Sequence, residues 1–143
     1  MVQVSFCIPT YNAEQFIFKT ICSLDTYGLD SFEIIISDNM SSDGTINEIM
    51  RALQYKDFKN VKFYINPNRG ISQNWNFVLS KASGCFVRLI MQDDIIYEGS
   101  TALLLSKLET HKSAVAIFSN RELFFDNATR SHNQNSLTYD LFK

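Results

Sequence analysis

Two adjacent carboxylates, Asp93 and Asp94, follow the apolar run Cys85–Met91. Carboxylates about 4 Å apart repel by about 4 kcal/mol at an effective dielectric of 20. Water relieves that repulsion, and so does a divalent cation. Successive side chains of an extended segment point to opposite sides. One carboxylate can therefore hold a metal while the other accepts hydrogen bonds from a hydroxyl. Oxygen-only ligands suit Mg2+ or Mn2+ better than zinc. A solvated turn is the competing reading, and these two residues alone leave it open. Asp38, behind the apolar run Phe32–Ser37, is likewise either a cap or turn residue or a functional carboxylate. Arg69 can meet a phosphate, a nucleobase or solvent. Trp75 and Phe77 read as core residues, and neither His111 nor His132 has a legible catalytic role.

These residues need elements to bring them together. Val2–Ile8 reads as a strand stopped by Pro9. Asn12 is an expected N-cap for a helix over about 13–27, with Phe16, Ile17, Ile21 and Leu24 on its apolar face and Gly28 as its stop. Phe32–Ser37 is nearly continuous in apolar residues, as a strand covered on both faces would be. Ser41, Ser42 and Asp43 offer caps for a helix to about Tyr55. Val61–Ile65 is a third strand, 66–70 a turn, and 72–81 a helix. Cys85–Met91 is a fourth strand, 100–111 a helix, Ala114–Ser119 a fifth strand and Glu122–Phe125 a sixth. This alternation implies an α/β fold: an open, mostly parallel sheet with helices on both faces. In such sheets ligands bind at the carboxyl ends of the strands. Thr10, Tyr11 and Asn12, then Asp38 and Asn39, then Asn68 and Arg69, then Gln92, Asp93 and Asp94 all fall at that edge. One polar loop is weak evidence, and four on one edge are stronger.

Composition bounds the rest. The 143 residues fit one domain large enough to fold without disulfides or structural metal. A net charge of -2 with no basic run excludes a nucleic-acid groove as an expectation. No apolar stretch reaches the roughly 18–20 residues that span a bilayer. Cys7, Cys22 and Cys85 are odd in number and fit no zinc spacing, so buried free thiols in a reducing, cytoplasmic setting are expected. Residues 1–126 read as the domain, and 127–143 as a polar tail or the start of a further part.

Four segments stand in order: VSFCIPTYN, EIIISDNMSSDGT at Glu33–Thr45, NRGISQNWN at Asn68–Asn76 and ASGCFVRLIMQDD at Ala82–Asp94. Together they resemble the family-2 glycosyltransferases of the GT-A (Rossmann-like) fold, over about Val2 to Glu109. The resemblance implies a nucleotide-sugar donor, typically a UDP-sugar, a Mn2+ or Mg2+ cofactor, and inverting transfer to a glycan or lipid-linked acceptor. It also implies roles. Pro9, Thr10, Tyr11 and Asn12 would line the nucleotide pocket. Asp38 would hydrogen-bond the nucleobase, Arg69 would help hold base or phosphate, and Asp93 would contact the ribose or donor sugar. Asp94 would bind the metal.

Two departures follow. Met91 stands where the family often has another aspartate, giving a variant of the Asp-x-Asp motif. Family members also continue well beyond this length and place their general base there, usually in a Glu-Asp type motif. Glu98, Glu109, Glu122, Asp126 and Asp140 are scattered and remain unassigned. The fold is therefore expected to be incomplete at its C-terminal end. A nucleotide-sugar-binding fragment or pseudoenzyme without a general base is the alternative to an active transferase. Any peripheral attachment to the inner face of a membrane would reside in residues outside this chain. A phospho-acceptor receiver domain is disfavoured, because Pro9-Thr10-Tyr11 stands where it needs acidic residues. Glycine-rich and Walker phosphate loops are absent from the sequence.

Overall fold

The computed structural model describes residues 1–120 and the backbone of Tyr139–Phe142. It has two compact units, Met1–Gly99 and Ser100–Lys143. In the first, strands β1 (Val4–Thr10), β2 (Phe32–Asp38), β3 (Val61–Ile65) and β4 (Phe86–Leu89) form a parallel sheet in the order β3-β2-β1-β4. Helices α1 (Ile17–Cys22), α2 (Thr45–Lys56) and α3 (Ile71–Ser80) connect them.

The two central strands are the most apolar because both their faces are covered. All seven residues of β1 and six of seven in β2 are buried. Cys7 and Ile35 point to one face, where they pack on Val78 of α3. Phe6, Ile8, Ile34 and Ile36 alternate to the other face and are fully buried. On the helices α1 and α2, which pack together, Ile17, Ile21, Ile49 and Ala52 are buried as well.

Pro9 does not stop the first strand; it lies inside β1. The reason is the direction of its missing donor. The carbonyls of Gln3 and Cys7 accept from β4-side amides, so the odd positions of β1 turn their backbone toward β4. Pairing with β4 ends at Cys7 and Leu89, so no ladder bond is lost at Pro9.

The first helix is shorter than expected, six residues, and Asn12 does not cap it. Asn12 has φ 46°, and its side chain and backbone reach instead to the loop after β2. Gly28 lies in a turn beyond the helix, with φ 74°. Gly44 is the N-cap of α2, and Asp43 just before it accepts from Thr45 N–H at 3.0 Å and Thr45 Oγ1–H at 2.5 Å, so it holds the first turn from outside the helix. Burial pushes its carboxyl up, but these bonds and one from Glu14 N–H outweigh it and hold the group below its ordinary range.

At the amino end of the sheet a carboxylate holds four segments together. Glu33 of β2 is 1% exposed. Its Oε1 accepts from Ser5 Oγ (2.6 Å), Ser83 N (2.7 Å) and Ser83 Oγ (2.8 Å), and its Oε2 from Lys62 Nζ (2.7 Å). Gly84 follows Ser83, and its N–H donates to Ser5 Oγ at 2.8 Å. A Cβ there would lie 2.7 Å from the Ser5 backbone nitrogen, so the close approach requires glycine.

The second unit contains α4 (Ser100–Thr110), β5 (Ala116–Ser119) and β6 (Tyr139–Phe142). The fifth strand does not extend the parallel sheet; it pairs antiparallel with β6, inside the span expected to be a polar tail. The expected strand Glu122–Phe125 lies outside the described residues. Among the cysteines, Cys7 is buried, and desolvation with the nearby Glu33 charge pushes its thiol up to about 12. Cys85 is exposed, against the expectation, because β4 is the edge of the sheet. No described helix is long and apolar enough to cross a membrane.

Candidate active site

The carboxyl ends of β1, β2 and β3 finish at Thr10, Asp38 and Ile65, and the ladder runs one residue further. Asn39 N–H donates to the Thr10 carbonyl and Asn66 N–H to the Asp38 carbonyl, each at 2.8 Å. Three buried asparagines then lock the loops above the sheet. Asn39 Nδ2 donates to the carbonyls of Asn66 (2.9 Å) and Asn68 (2.8 Å), and its Oδ1 accepts from Gly70 N–H (2.9 Å). Asn74 Oδ1 accepts from Ser37 Oγ and Asn66 Nδ2, while its Nδ2 donates to the carbonyls of Ser37 and Thr10. Gly70 has φ 129°, a conformation that glycine adopts readily, and it turns the loop directly into α3.

This scaffold fixes Arg69 in space although Arg69 makes no hydrogen bond to a described residue. Asn39→Ala is expected to destabilise the chain by about 1–3 kcal/mol, since it orphans buried backbone groups of the 66–70 loop. Urea unfolding followed by circular dichroism would measure it, and an unchanged midpoint would remove Asn39 from this role.

Above the scaffold lies a cavity of about 550 Å³, within the usual range for small-molecule sites. Pro9, Thr10 and Tyr11 line it from the end of β1, and Met91, Gln92 and Asp93 from the end of β4. Arg69, Gly70, Ile71, Asn74 and Trp75 line it from the α3 side, with Asn39 below. Gln92 Oε1 accepts from Tyr11 N–H at 2.7 Å, tying the β1 and β4 ends together.

Of the residues singled out in the sequence, Pro9, Thr10, Tyr11, Arg69 and Asp93 line this one cavity. The structure places the other three expected residues elsewhere. Asp38 is fully buried beneath the cavity. Its carboxylate accepts from Thr10 Oγ1 (3.1 Å), Ser41 N–H (2.8 Å) and Ser41 Oγ (2.5 Å). In this geometry the Asp38 carboxylate ties the end of β1 to the loop after β2. Asn12 does the same: its Oδ1 accepts from Ser42 N–H at 2.9 Å and its N–H donates to Ser41 Oγ at 2.8 Å.

Asp94 is exposed beside the cavity in a tight turn, its N–H on the Met91 carbonyl (3.1 Å) and its Oδ2 3.4 Å from Met91 N–H. Trp75 is not core, contrary to the sequence reading. It is 38% exposed and faces the cavity. Sequence reasoning placed Asn39 at this edge but missed the scaffold roles of Asn66 and Asn74 and the position of this indole. Their one sequence signal is the run of asparagines between Asn66 and Asn76.

Asp93 and Asp94 offer a hard cation only oxygen donors. No group of three or more His, Cys, Asp or Glu side chains gathers among the described residues. That donor set fits Mg2+ or Mn2+, which keep waters and bind through one or two carboxylates plus substrate phosphates. A closed zinc site would need more protein ligands.

A parallel sheet with a cavity at its carboxyl edge, lined by Arg69 and Asp93, defines an open α/β domain with a ligand site at that edge. The chain belongs to glycosyl transferase family 2, whose profile matches residues 5–143. It is similar to the GalNAc(5)-diNAcBac-PP-undecaprenol beta-1,3-glucosyltransferase of Campylobacter jejuni, 35% identical over 75% of this chain and 35% of that protein. It is also similar to the abequosyltransferase RfbV of Salmonella typhimurium, 32% identical over 75% of this chain and 33% of that protein. Among solved structures, S. aureus TarS 1-349 in complex with UDP-GlcNAc superposes with a TM-score of 0.68. It is 25% identical and covers 78% of this chain and 32% of that one. The chain spans about a third of the length of these relatives.

Proposed function

We propose that this chain forms the donor-binding part of an inverting, metal-dependent glycosyltransferase that takes its sugar from a UDP-sugar. The observation that carries the reading is the convergence of Tyr11, Arg69 and Asp93 on one cavity from three separate elements. Family membership, the relative named for its undecaprenol-linked glycan and the TarS complex with UDP-GlcNAc support it. The acceptor is then a glycan or lipid-linked glycan, which would bring the reaction to a membrane surface.

In this reading the acceptor hydroxyl attacks the anomeric carbon while the bond to the diphosphate oxygen breaks. Charge grows on the leaving diphosphate, and Arg69 stands on the cavity wall to meet it. Asp93 accepts hydrogen bonds from ribose or sugar hydroxyls and so orients the donor. Asp94 would hold Mg2+ or Mn2+, which supplies Lewis-acid neutralisation of the diphosphate. Asp38 and Asn12 act at one remove, by holding the loops that carry Thr10 and Tyr11. The proton of the acceptor needs a base. Among the described residues Asp93 is the one carboxylate lining the cavity. That favours the second reading for the isolated chain: nucleotide binding without efficient turnover.

Calorimetric titration of UDP with Mn2+, with EDTA and on Asp94→Ala tests this. Binding is expected with metal and is expected to weaken about tenfold or more in EDTA or on loss of Asp94. A folded chain that binds no UDP under any condition would sink the donor-site reading. Efficient sugar transfer by the isolated chain would instead sink the second reading.

A further inference from the structure

Thr20 is a polar residue on the apolar face of α1. It shares that face with Ile17, Ile21 and, just beyond the helix, Leu24, and all four residues are buried. A valine has nearly the same shape and would fill this place with no hydroxyl to satisfy. A threonine inside a helix usually returns its hydroxyl to the carbonyl four residues back. Here that contact, to Phe16, is long at 3.5 Å, and the short bond of 2.8 Å leaves the helix for the carbonyl of Gln92.

That carbonyl belongs to the turn that carries the acidic pair. The β1–β4 ladder ends with Ile90 N–H on the Cys7 carbonyl at 2.9 Å. Past it, Asp94 N–H closes a turn on the Met91 carbonyl, and among the described residues no further backbone bond joins 91–94 to the sheet. Side chains orient the turn instead. Gln92 Oε1 accepts from Tyr11 N–H at 2.7 Å, and Ile96 N–H donates to Ser23 Oγ at 2.9 Å. Tyr11 is itself an exposed loop residue, whereas Thr20 sits on a helix seated in the core by Ile17 and Ile21. Of these anchors Thr20 therefore has the least freedom. The one hydrogen-bond contact of the Asp94 carboxylate among the described residues is 3.4 Å from Met91 N–H. Its place is set by the turn and not by partners of its own.

We propose that Thr20 is a positioning residue for the acidic turn: through the Gln92 carbonyl it sets where Asp94 stands beside the cavity. Thr20 does not line the cavity, so it acts only through the turn. This rests on the donor-site reading above, in which Asp94 holds the metal, and deepens it. Groups that orient a metal ligand from behind are commonly worth about 10–100-fold in affinity.

Thr20→Val keeps the shape of the side chain and loses the hydroxyl, and Thr20→Ser keeps the hydroxyl and loses a methyl. Calorimetric titration of UDP in Mn2+ is expected to give an affinity about tenfold weaker in Thr20→Val and within about twofold of wild type in Thr20→Ser. The serine variant, with a methyl-sized gap in the core, should still melt below wild type, so affinity and stability separate. In an Asp94→Ala background, Thr20→Val should change UDP affinity by less than about twofold, because the group it positions is gone. Full UDP affinity in Thr20→Val, an equal loss in Thr20→Ser, or the same loss with and without Asp94 overturns this inference and leaves the donor site standing. Absence of UDP binding to the wild-type chain overturns both readings. Affinity unmoved by Asp94→Ala overturns the metal role of Asp94 together with this inference.

Discussion

Glu33→Ala is expected to lower the stability of the chain by about 2–4 kcal/mol at pH 7, because it takes a buried acceptor away from several donors at once. The loss exceeds that of one hydrogen bond because Glu33 holds four segments. Ser5 belongs to β1, Lys62 to β3, Ser83 to the loop before β4, and Glu33 itself to β2. Removing the carboxylate leaves the buried Ser5 hydroxyl without its acceptor and unties Ser83 and Lys62 from β2.

The pH dependence gives the same residue a second signature. Burial alone would raise the Glu33 pKa, but the bonds from Lys62, Ser5 and Ser83 outweigh it and hold the group down to about 2, from an ordinary 4.5. A depressed folded-state value means that the unfolded chain takes up the proton first as pH falls. The stabilisation is therefore fully present above about pH 4.5 and is lost as pH falls toward 2. Its size is about 2–3 kcal/mol, after allowing for water that screens the pair from the exposed Lys62 side. Urea unfolding of wild type and Glu33→Gln at pH 7 and pH 3 would read this. The gap between them should narrow at pH 3, and a gap of constant size would mean the charge of Glu33 contributes little.

Arg69→Ala is expected to weaken UDP binding about 10–100-fold, the usual worth of charge-assisted hydrogen bonds to a phosphate. The side chain is exposed and bonds to no described residue, so the melting temperature should stay near wild type. Uridine, which lacks phosphate, should bind Arg69→Ala and wild type alike. Equal UDP affinity in the two proteins would mean that Arg69 faces solvent, as the more modest reading of the sequence allowed. A joint loss of UDP and uridine would mean that it acts on the base instead.

Much of this protein was legible in the order of its residues. A run such as Phe32–Ile36 makes a strand covered on both faces because its side chains exclude any exposed face. Asp43 with Thr45 marks a helix start because the aspartate side chain can satisfy free amides there. From that alternation came the parallel sheet, and from the sheet the edge at which Tyr11, Arg69 and Asp93 had to meet.

Local residue type could not decide which side chains of each loop turn toward the cavity. Asp38 and Asp93 look alike in sequence, each an aspartate behind an apolar run. Thr10 and Ser41 engage the first as scaffold, and the second has no such partners among the described residues. Pro9 and Asn12 were misjudged for a related reason. The lateral partner of Pro9 ends two residues before it, and the partner of Asn12 is a loop thirty residues away. Trp75 read as core because large aromatic residues usually are, and only the packing of α3 on β1 and β2 shows which of its faces is left outside. Sequence by itself determined the four parallel strands and the edge at which their loops gather, because these follow from apolar runs and turn residues within short windows. The tertiary structure alone decided which polar groups are spent on one another and which remain for a ligand, because hydrogen bonds between residues distant in sequence satisfy the former and leave the latter open.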